Sequence, residues 1–201
     1  GLYRIKGGIG HSDWSADGMQ PHLADKMLDY LDDNKNSNKP FFLYMALTAP
    51  HIPLFPSKEF KGKSRIGDYG DLVMMIDDIV GRVNRKLKEI GKYDDTIVMF
   101  AADNGCAGYI NMDKINRKGH YPSYIYRGYK SHGWEGGHRI PFILSWGDRY
   151  GHVTDNSLVS LTDLYATFAD MLGYRTADDE AEDSFSFWPI LDGSGSSART
   201  D

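Results

Sequence analysis

Apolar residues recur along this chain with two different spacings. Three stretches carry apolar side chains on one face of a 3.6-residue repeat, which predicts amphipathic helices. These stretches span residues 20–33, 68–90 and 160–172. Three shorter stretches are continuous apolar runs, which are typical of strands buried on both faces. These runs span residues 41–48, 96–101 and 140–145. The alternation predicts an α/β fold in which a mostly parallel sheet is sandwiched between helices.

Composition narrows the classes of function. The 201 residues include 23 lysines and arginines against 28 aspartates and glutamates, a net charge of −5, so no overall positive field favours nucleic acid. No apolar run approaches the roughly 18 residues that a membrane span requires. The one cysteine, Cys106, excludes an intrachain disulfide and a cysteine-based zinc cluster. It lies in the sequence Cys-Ala-Gly-Tyr without an adjacent histidine, which makes it a weak candidate nucleophile.

Polar residues follow two of the predicted strands, and in parallel sheets ligands bind beyond the carboxyl ends of the strands. Asp103, Asn104 and Gly105 come directly after the second apolar run. They suit an ordinary turn, and equally a pair of hard oxygen ligands for Ca²⁺ or Mg²⁺. His51 follows the first run between two prolines. It is either a half-exposed loop histidine or an imidazole held in place to donate a proton or bind an anion.

A long stretch without periodicity, residues 102–139, separates the second and third predicted strands. Loops of this length are often functional. Residues 106–139 contain six lysines and arginines against two acidic residues, together with interleaved tyrosines and a tryptophan. The alternatives are a solvated basic surface and a pocket for an anionic group. The aromatic residues suit stacking on sugar rings or on nucleobases, and the acidity of the whole chain weighs against nucleic acid.

Taken together and in order, several segments within residues 20–175 resemble the arylsulfatase-type sulfatases of the alkaline phosphatase superfamily. Each segment is weakly specific singly, and their combination is specific. The segments are Thr48-Ala49-Pro50-His51-Ile52-Pro53, Met75-Ile76-Asp77-Asp78, the strand followed by Asp103-Asn104-Gly105, Lys130, Trp134-Glu135-Gly136-Gly137-His138-Arg139-Ile140-Pro141, and Leu161-Thr162-Asp163-Leu164.

The resemblance implies an incomplete alkaline-phosphatase-like fold. Residues 1–175 would be the C-terminal part of the sulfatase catalytic domain. Residues 176–201, acidic and then rich in glycine and serine, would lead toward a C-terminal subdomain that is truncated or missing. The resemblance to bacterial sulfatases also implies a periplasmic or secreted protein.

The resemblance further implies a sulfuric ester hydrolase acting on a sulfated small molecule or glycan. His51 and Lys130 would be the catalytic residues, and both would contact the sulfate. His132 would line the same substrate pocket. Asp103 and Asn104 would bind the metal, Ca²⁺ or alternatively Mg²⁺.

The sequence lacks the nucleophile motif of the family. The nucleophile of these sulfatases is a formylglycine made from a cysteine in a Cys-x-Pro-x-Arg motif, and this sequence contains no such motif. The resemblance places that nucleophile, and further metal ligands, upstream of Gly1, so the 201-residue chain alone is expected to be inactive. Two alternatives stay open: a phosphodiesterase or phosphonate hydrolase of the same superfamily, and a non-catalytic module that binds anionic glycans.

Overall fold

The computed structural model describes residues 11–199, which divide into two compact units at residue 150. The first unit contains four helices and two strands among its described residues. They are α1 (Met19–Asp33), α2 (Asp68–Glu89), β1 (Ile97–Ala101), α3 (Met112–Asn116), α4 (Glu135–His138) and β2 (Phe142–Trp146). The second unit contains α5 (Leu164–Met171) and α6 (Trp188–Asp192). Among the described residues, no helix is both long enough and apolar enough to cross a membrane.

Helices α1 and α2 pack against each other and confirm the first two predicted helices within a residue at each end. Their apolar faces form the core of the first unit. The buried members of this core are Ala24, Met27, Phe60, Leu72, Met75 and Ile79. An ion pair of 2.6 Å between Arg82 and Asp25 links the helices outside the core. The 3.6-residue repeat predicted these helices because it reports directly which side of a helix is buried.

The predicted strand at 41–48 is wrong for the described residues, whose sheet contains β1 and β2 only. The segment nevertheless shows an alternating burial pattern. Met45 and Leu47 pack against the helical core, whereas Phe42 and Tyr44 are 72% and 80% exposed. A strand requires backbone hydrogen bonds to a neighbouring strand, and an apolar run reports side-chain burial without supplying that neighbour.

The other two predicted strands are present as β1 and β2, but they pair antiparallel. Ile97 lies opposite Trp146, and Ala101 lies opposite Phe142. The expected parallel direction is therefore wrong for this pair. The direction of a strand depends on the path of the connecting chain, which apolar runs do not encode. As a result, the residues that follow β1 lie beside the residues that precede β2.

The second unit is organised around a buried carboxylate. Ser160 and Asp163 form a capping box at the short 3₁₀ turn Leu161–Asp163, which leads into α5 and confirms the third predicted helix. Asp163 is fully buried and accepts hydrogen bonds from the backbone N–H groups of Ser160 and Phe185 and from Arg199. The expected boundary after residue 175, and the packing of the third helix on the sheet, stay predictions.

Candidate active site

Two backbone hydrogen bonds join the turn after β1, which carries Asp103 and Asn104, to the loop of Lys130 and to the segment before β2. The N–H of Gly105 donates to the carbonyl oxygen of Gly137 at 2.8 Å, and the N–H of Lys130 donates to the carbonyl oxygen of Cys106 at 2.8 Å. Asp103 and Asn104 immediately precede these contacts. The turn after β1 is therefore tied both to the loop that carries Lys130 and to the segment before β2.

Glycines make this close approach of three backbones sterically accessible. A Cβ atom added to Gly105 would overlap the carbonyl oxygen of Gly136, and one added to Gly137 would overlap the carbonyl oxygen of His132. The N–H of Gly136 donates to the carbonyl oxygen of Arg127 at 2.8 Å. The two positions before β2 therefore require glycine, because only a residue without a side chain lets the backbones approach this closely.

His51 lies in the loop that follows the packed segment 45–49. Its Nδ1 is 2.7 Å from the carbonyl oxygen of Ile52. A carbonyl oxygen only accepts hydrogen bonds, so Nδ1 carries the proton and Nε2 is the nitrogen that accepts or exchanges one. The imidazole also packs edge-on against Tyr109, with the ring centroids 5.9 Å apart.

A surface cavity of about 370 Å³ lies beside Tyr109. Its lining residues are Ala107, Gly108, Tyr109, Tyr129, Lys130 and Ser131. Lys130 therefore shares the cavity with Tyr109, the same tyrosine whose ring contacts His51. The structure brings His51 and Lys130 to a common neighbour although 78 positions separate them in the sequence.

Unlike Lys130, His132 lies behind the cavity wall. Its ring stacks on Tyr129 with the centroids 4.1 Å apart and the planes inclined by 36°. His132 does not belong to the residues that line the cavity, whereas Tyr129 does. Its contact with the cavity within the described residues is thus through the tyrosine ring.

Asp103 and Asn104, which follow β1, offer three side-chain oxygens, two from the carboxylate and one from the amide. The Nδ2 of Asn104 donates to the carbonyl oxygen of Gly105 at 3.0 Å, which leaves its Oδ1 as the remaining polar group. Oxygen donors of this kind fit a hard cation such as Ca²⁺, but Ca²⁺ takes about six to eight of them. Among residues 11–199 no group of three or more His, Cys, Asp or Glu side chains could hold a metal ion. The two residues fit part of a cation shell.

Cys106 lies against other side chains near this turn. Its Sγ is 3.6 Å from the hydroxyl oxygen of Tyr69 and 3.9 Å from Sδ of Met112. Burial raises the pKa of the Cys106 thiol, against a smaller opposing effect of the hydrogen bond to Tyr69. The thiolate is therefore disfavoured, in agreement with the weak nucleophile expected from the local sequence.

The basic loop contains two arginines stacked on aromatic rings. The guanidinium of Arg127 lies 4.0 Å from the ring centre of Trp134, and that of Arg139 lies 4.9 Å from that of Tyr126. Arg139 also donates to Glu135 at 2.8 Å, and this hydrogen bond lowers the pKa of the Glu135 carboxyl. Tyr109 and Tyr129 are two of the interleaved aromatic residues of residues 106–139, and only the structure shows that these two line the cavity.

Comparisons with known proteins show which family this chain resembles. A family model described as Sulfatase matches residues 11–174. The chain is 33% identical over 174 residues to an N-acetylgalactosamine-6-O-sulfatase of Bacteroides thetaiotaomicron, covering 85% of this chain and 34% of that protein. It is 36% identical over 174 residues to an arylsulfatase of Hemicentrotus pulcherrimus, covering 87% of this chain and 30% of that protein. The chain thus spans about a third of the length of these curated relatives.

The fold is also found among solved structures. One, from a study of the metabolism of multiple glycosaminoglycans by Bacteroides thetaiotaomicron, superposes with a TM-score of 0.83 at 31% identity. The match covers 92% of this chain and 39% of that one. The mixed α/β architecture described here is accordingly a part of the alkaline-phosphatase-like fold of sulfatases. The chain belongs to the sulfatase family.

Proposed function

We propose that this protein hydrolyses sulfate esters carried on sugars. The observation that carries the proposal is the cavity that Lys130 shares with Tyr109, the residue packed on His51. A lysine ammonium and an imidazole beside one cavity suit an anionic ester that must lose an alcohol. Membership of the sulfatase family and the named activity of the Bacteroides thetaiotaomicron relative support sulfate as the anion and a sugar as its carrier.

In this proposal Lys130 binds the sulfate as a point charge and counters negative charge that develops on the sulfuryl oxygens. His51 acts at the ester oxygen. Because Nδ1 donates its hydrogen to the carbonyl oxygen of Ile52, Nε2 is the nitrogen that faces the ester. In the doubly protonated imidazolium form, His51 gives the Nε2 proton to the departing alcohol oxygen and is left as the neutral imidazole with its remaining proton on Nδ1. His132 keeps its proposed role in substrate binding, exerted through the ring of Tyr129 on which it stacks.

Asp103 and Asn104 are proposed to hold the metal with their side-chain oxygens. A Ca²⁺ ion, or alternatively Mg²⁺, would supply positive charge beside the sulfate, and a formylglycine from outside these 201 residues would supply the nucleophile. The backbone contacts of Gly105 and Lys130 hold the proposed metal ligands and the sulfate-binding lysine in one scaffold.

We extend the proposal to a periplasmic or secreted location, which cell fractionation tests.

The test uses the full-length gene product with N-acetylgalactosamine 6-sulfate and an aryl sulfate as substrates. Lys130→Ala and His51→Gln should each lower kcat/KM by about 10²-fold to 10⁴-fold. Lys114→Ala and His22→Gln are matched controls, because both side chains are exposed and lie outside the proposed site. The controls should retain full activity.

Three outcomes would contradict the proposal. Undiminished turnover in both Lys130→Ala and His51→Gln would remove the proposed roles of these residues. Hydrolysis of phosphate or phosphonate esters without hydrolysis of sulfate esters would favour the alternative enzyme class of the same superfamily. Tight binding of a sulfated sugar without any turnover would favour a non-catalytic binding module.

A further inference from the structure

Tyr109 contacts one proposed catalytic residue and shares a cavity with the other. Its ring is inclined by 71° to the imidazole of His51, with the ring centroids 5.9 Å apart. Edge-to-face aromatic pairs with centroids about 4.5 to 7 Å apart attract each other. Tyr109 also lines the cavity of about 370 Å³ to which Lys130 belongs. The tyrosine therefore joins the loop of His51 to the loop of the proposed sulfate-binding cation.

The backbone of Tyr109 is anchored on both sides. Tyr109 is the middle residue of the short 3₁₀ turn Gly108–Ile110. Gly108 packs against the ring of Tyr129, since a Cβ atom added to the glycine would lie 2.6 Å from Cε2 of that ring. Ile110, on the other side, is buried. A side chain carried by an anchored turn can hold a neighbouring functional group in a fixed position.

The imidazole of His51 depends on such a neighbour, because His51 is exposed. Its hydrogen bond of 2.7 Å to the carbonyl oxygen of Ile52 fixes where Nδ1 points. A single hydrogen bond leaves the ring able to rotate about the bonded atom. A second contact on the ring itself fixes its plane, and with it the direction of Nε2. Tyr109 supplies that second contact.

We propose that Tyr109 is a positioning residue for His51, whose Nε2 it holds toward the ester oxygen. This inference rests on the proposed function. As the bond between sulfur and the ester oxygen breaks, its electron pair stays on that oxygen, which takes the Nε2 proton of the imidazolium. The donor must lie within hydrogen-bonding distance of the acceptor, and a misplacement of about 1 Å can lower a rate about 10²-fold.

The basicity of the leaving group separates this role from a purely structural one. A sugar alkoxide is a strong base and departs slowly without a proton, whereas 4-nitrophenolate is a weak base and departs without one. A misdirected His51 should therefore slow the hydrolysis of N-acetylgalactosamine 6-sulfate more than that of 4-nitrophenyl sulfate. A change that disturbs the whole site should slow both reactions equally.

The experiment measures kcat/KM of the full-length gene product for these two substrates. Tyr109→Ala should lower kcat/KM about tenfold to hundredfold for the sugar sulfate and less than about threefold for the aryl sulfate. Tyr109→Leu should do the same while keeping an apolar side chain on the turn, so it replaces the alanine variant if that variant does not fold. Tyr109→Phe should retain the wild-type values because it keeps the ring.

Tyr121→Ala is the matched control. It removes an equally large ring from the same basic loop, at a position that is 60% exposed. The control should change kcat/KM for neither substrate.

A double variant tests whether Tyr109 acts through His51. In the His51→Gln background, Tyr109→Leu should cause no further fall in kcat/KM, because the proton donor that the tyrosine positions is already absent. A tyrosine that acted by contacting the substrate itself would cause the same fall in both backgrounds.

The outcomes distinguish this inference from the proposed function. The positioning role is wrong, while that of His51 stands, if Tyr109→Leu leaves kcat/KM for the sugar sulfate unchanged, lowers it equally for both substrates, or adds to the loss in His51→Gln. A Tyr109→Phe variant as slow as Tyr109→Leu would also overturn it. If His51→Gln itself leaves kcat/KM unchanged, the proposed function fails at His51 and the positioning role fails with it.

Discussion

Cys106 illustrates how neighbours decide the chemistry of a single residue. It lies two positions beyond Asn104, beside the proposed metal ligands, yet its thiol faces Tyr69 and Met112. Burial raises the pKa of the thiol and also that of the Tyr69 hydroxyl. A protonated thiol is a poor nucleophile, so proximity to the candidate site does not give this cysteine a catalytic role.

We expect the Cys106 thiol to react with iodoacetamide at pH 7 more slowly than a cysteine in an unstructured peptide. A raised pKa lowers the thiolate fraction at any pH below it, and thiolate is the reacting species. The measurement is the alkylation rate by mass spectrometry, with the chain in urea as the control in which burial is lost. Alkylation faster than that of the peptide would contradict the assigned surroundings of the thiol.

At the scale of elements, the start of α2 is linked to the preceding loop by one buried side chain. Asp71 is fully buried, and its carboxylate accepts the backbone N–H groups of Gly62 at 2.7 Å and Ser64 at 2.6 Å. The loop before the helix is thus held by a residue within the first turn of the helix.

Asp71→Ala should lower the free energy of unfolding of the first unit by about 2–4 kcal/mol, because two backbone N–H groups would lose their acceptor. Asp68→Ala is the matched control, since Asp68 is exposed in the same helical turn, and it should change stability by about 0.5 kcal/mol or less. Amide hydrogen exchange in α2 provides the measurement. Equal effects of the two substitutions would show that the loop does not depend on Asp71.

The second unit depends on an ion pair between Asp163 and Arg199, 2.7 Å apart. Burial alone would raise the pKa of Asp163, but the hydrogen bonds from Arg199 and from the backbone of Phe185 and Ser160 lower it overall. The stabilisation from this carboxylate is therefore fully present above its unfolded pKa, and it is lost as the pH falls through the lower folded pKa.

Arg199→Ala should destabilise the second unit by about 3–5 kcal/mol at pH 7, because a buried charge would lose its partner. The difference from wild type should shrink as the pH falls below about 4, the ordinary pKa of an aspartate, and vanish as the pH passes through the lowered pKa of the folded Asp163. Arg175→Ala, an exposed position, is the control. Amide hydrogen exchange in α5 at pH 7 and pH 3 measures both effects, and a difference that does not change with pH would argue against the ion pair.

At the scale of the whole molecule, the chain combines a net charge of −5 with a basic loop over residues 106–139. The positive charge of that loop would attract an anionic substrate. The proposed metal ligand Asp103 is negatively charged and would repel it, unless a bound cation neutralises that charge. The three side-chain oxygens of Asp103 and Asn104 do not complete a calcium shell, which takes about six to eight oxygens.

The 201-residue chain by itself should therefore bind calcium weakly, with a dissociation constant in the millimolar to high micromolar range. It should also not hydrolyse an aryl sulfate. The sequence contains no Cys-x-Pro-x-Arg motif, and Cys106 is disfavoured as a nucleophile. Calorimetric titration with calcium and a chromogenic assay test both statements, with the full-length gene product as the positive control. Low-micromolar affinity, or turnover abolished by Cys106→Ala, would show a complete site within this chain.

The sequence alone determined the features that depend on neighbours along the chain. The 3.6-residue repeat predicted α1, α2 and the helix containing α5, and apolar runs predicted β1 and β2. Short motifs also singled out His51, Asp103 and Asn104. These features follow from local periodicity and local chemistry, which a sequence displays directly. The roles of Lys130 and His132 came instead from the resemblance to the sulfatases.

Only the tertiary structure decided which distant segments meet. It paired β1 and β2 antiparallel, left residues 41–48 outside the described sheet, and placed Tyr109 and Tyr129 on one cavity with Lys130. Periodicity reports that a side chain is buried, whereas its partner depends on the path of the intervening chain. The glycine contacts that join Gly105 to Gly137 belong to that path, and their need for glycine becomes evident only where the backbones touch.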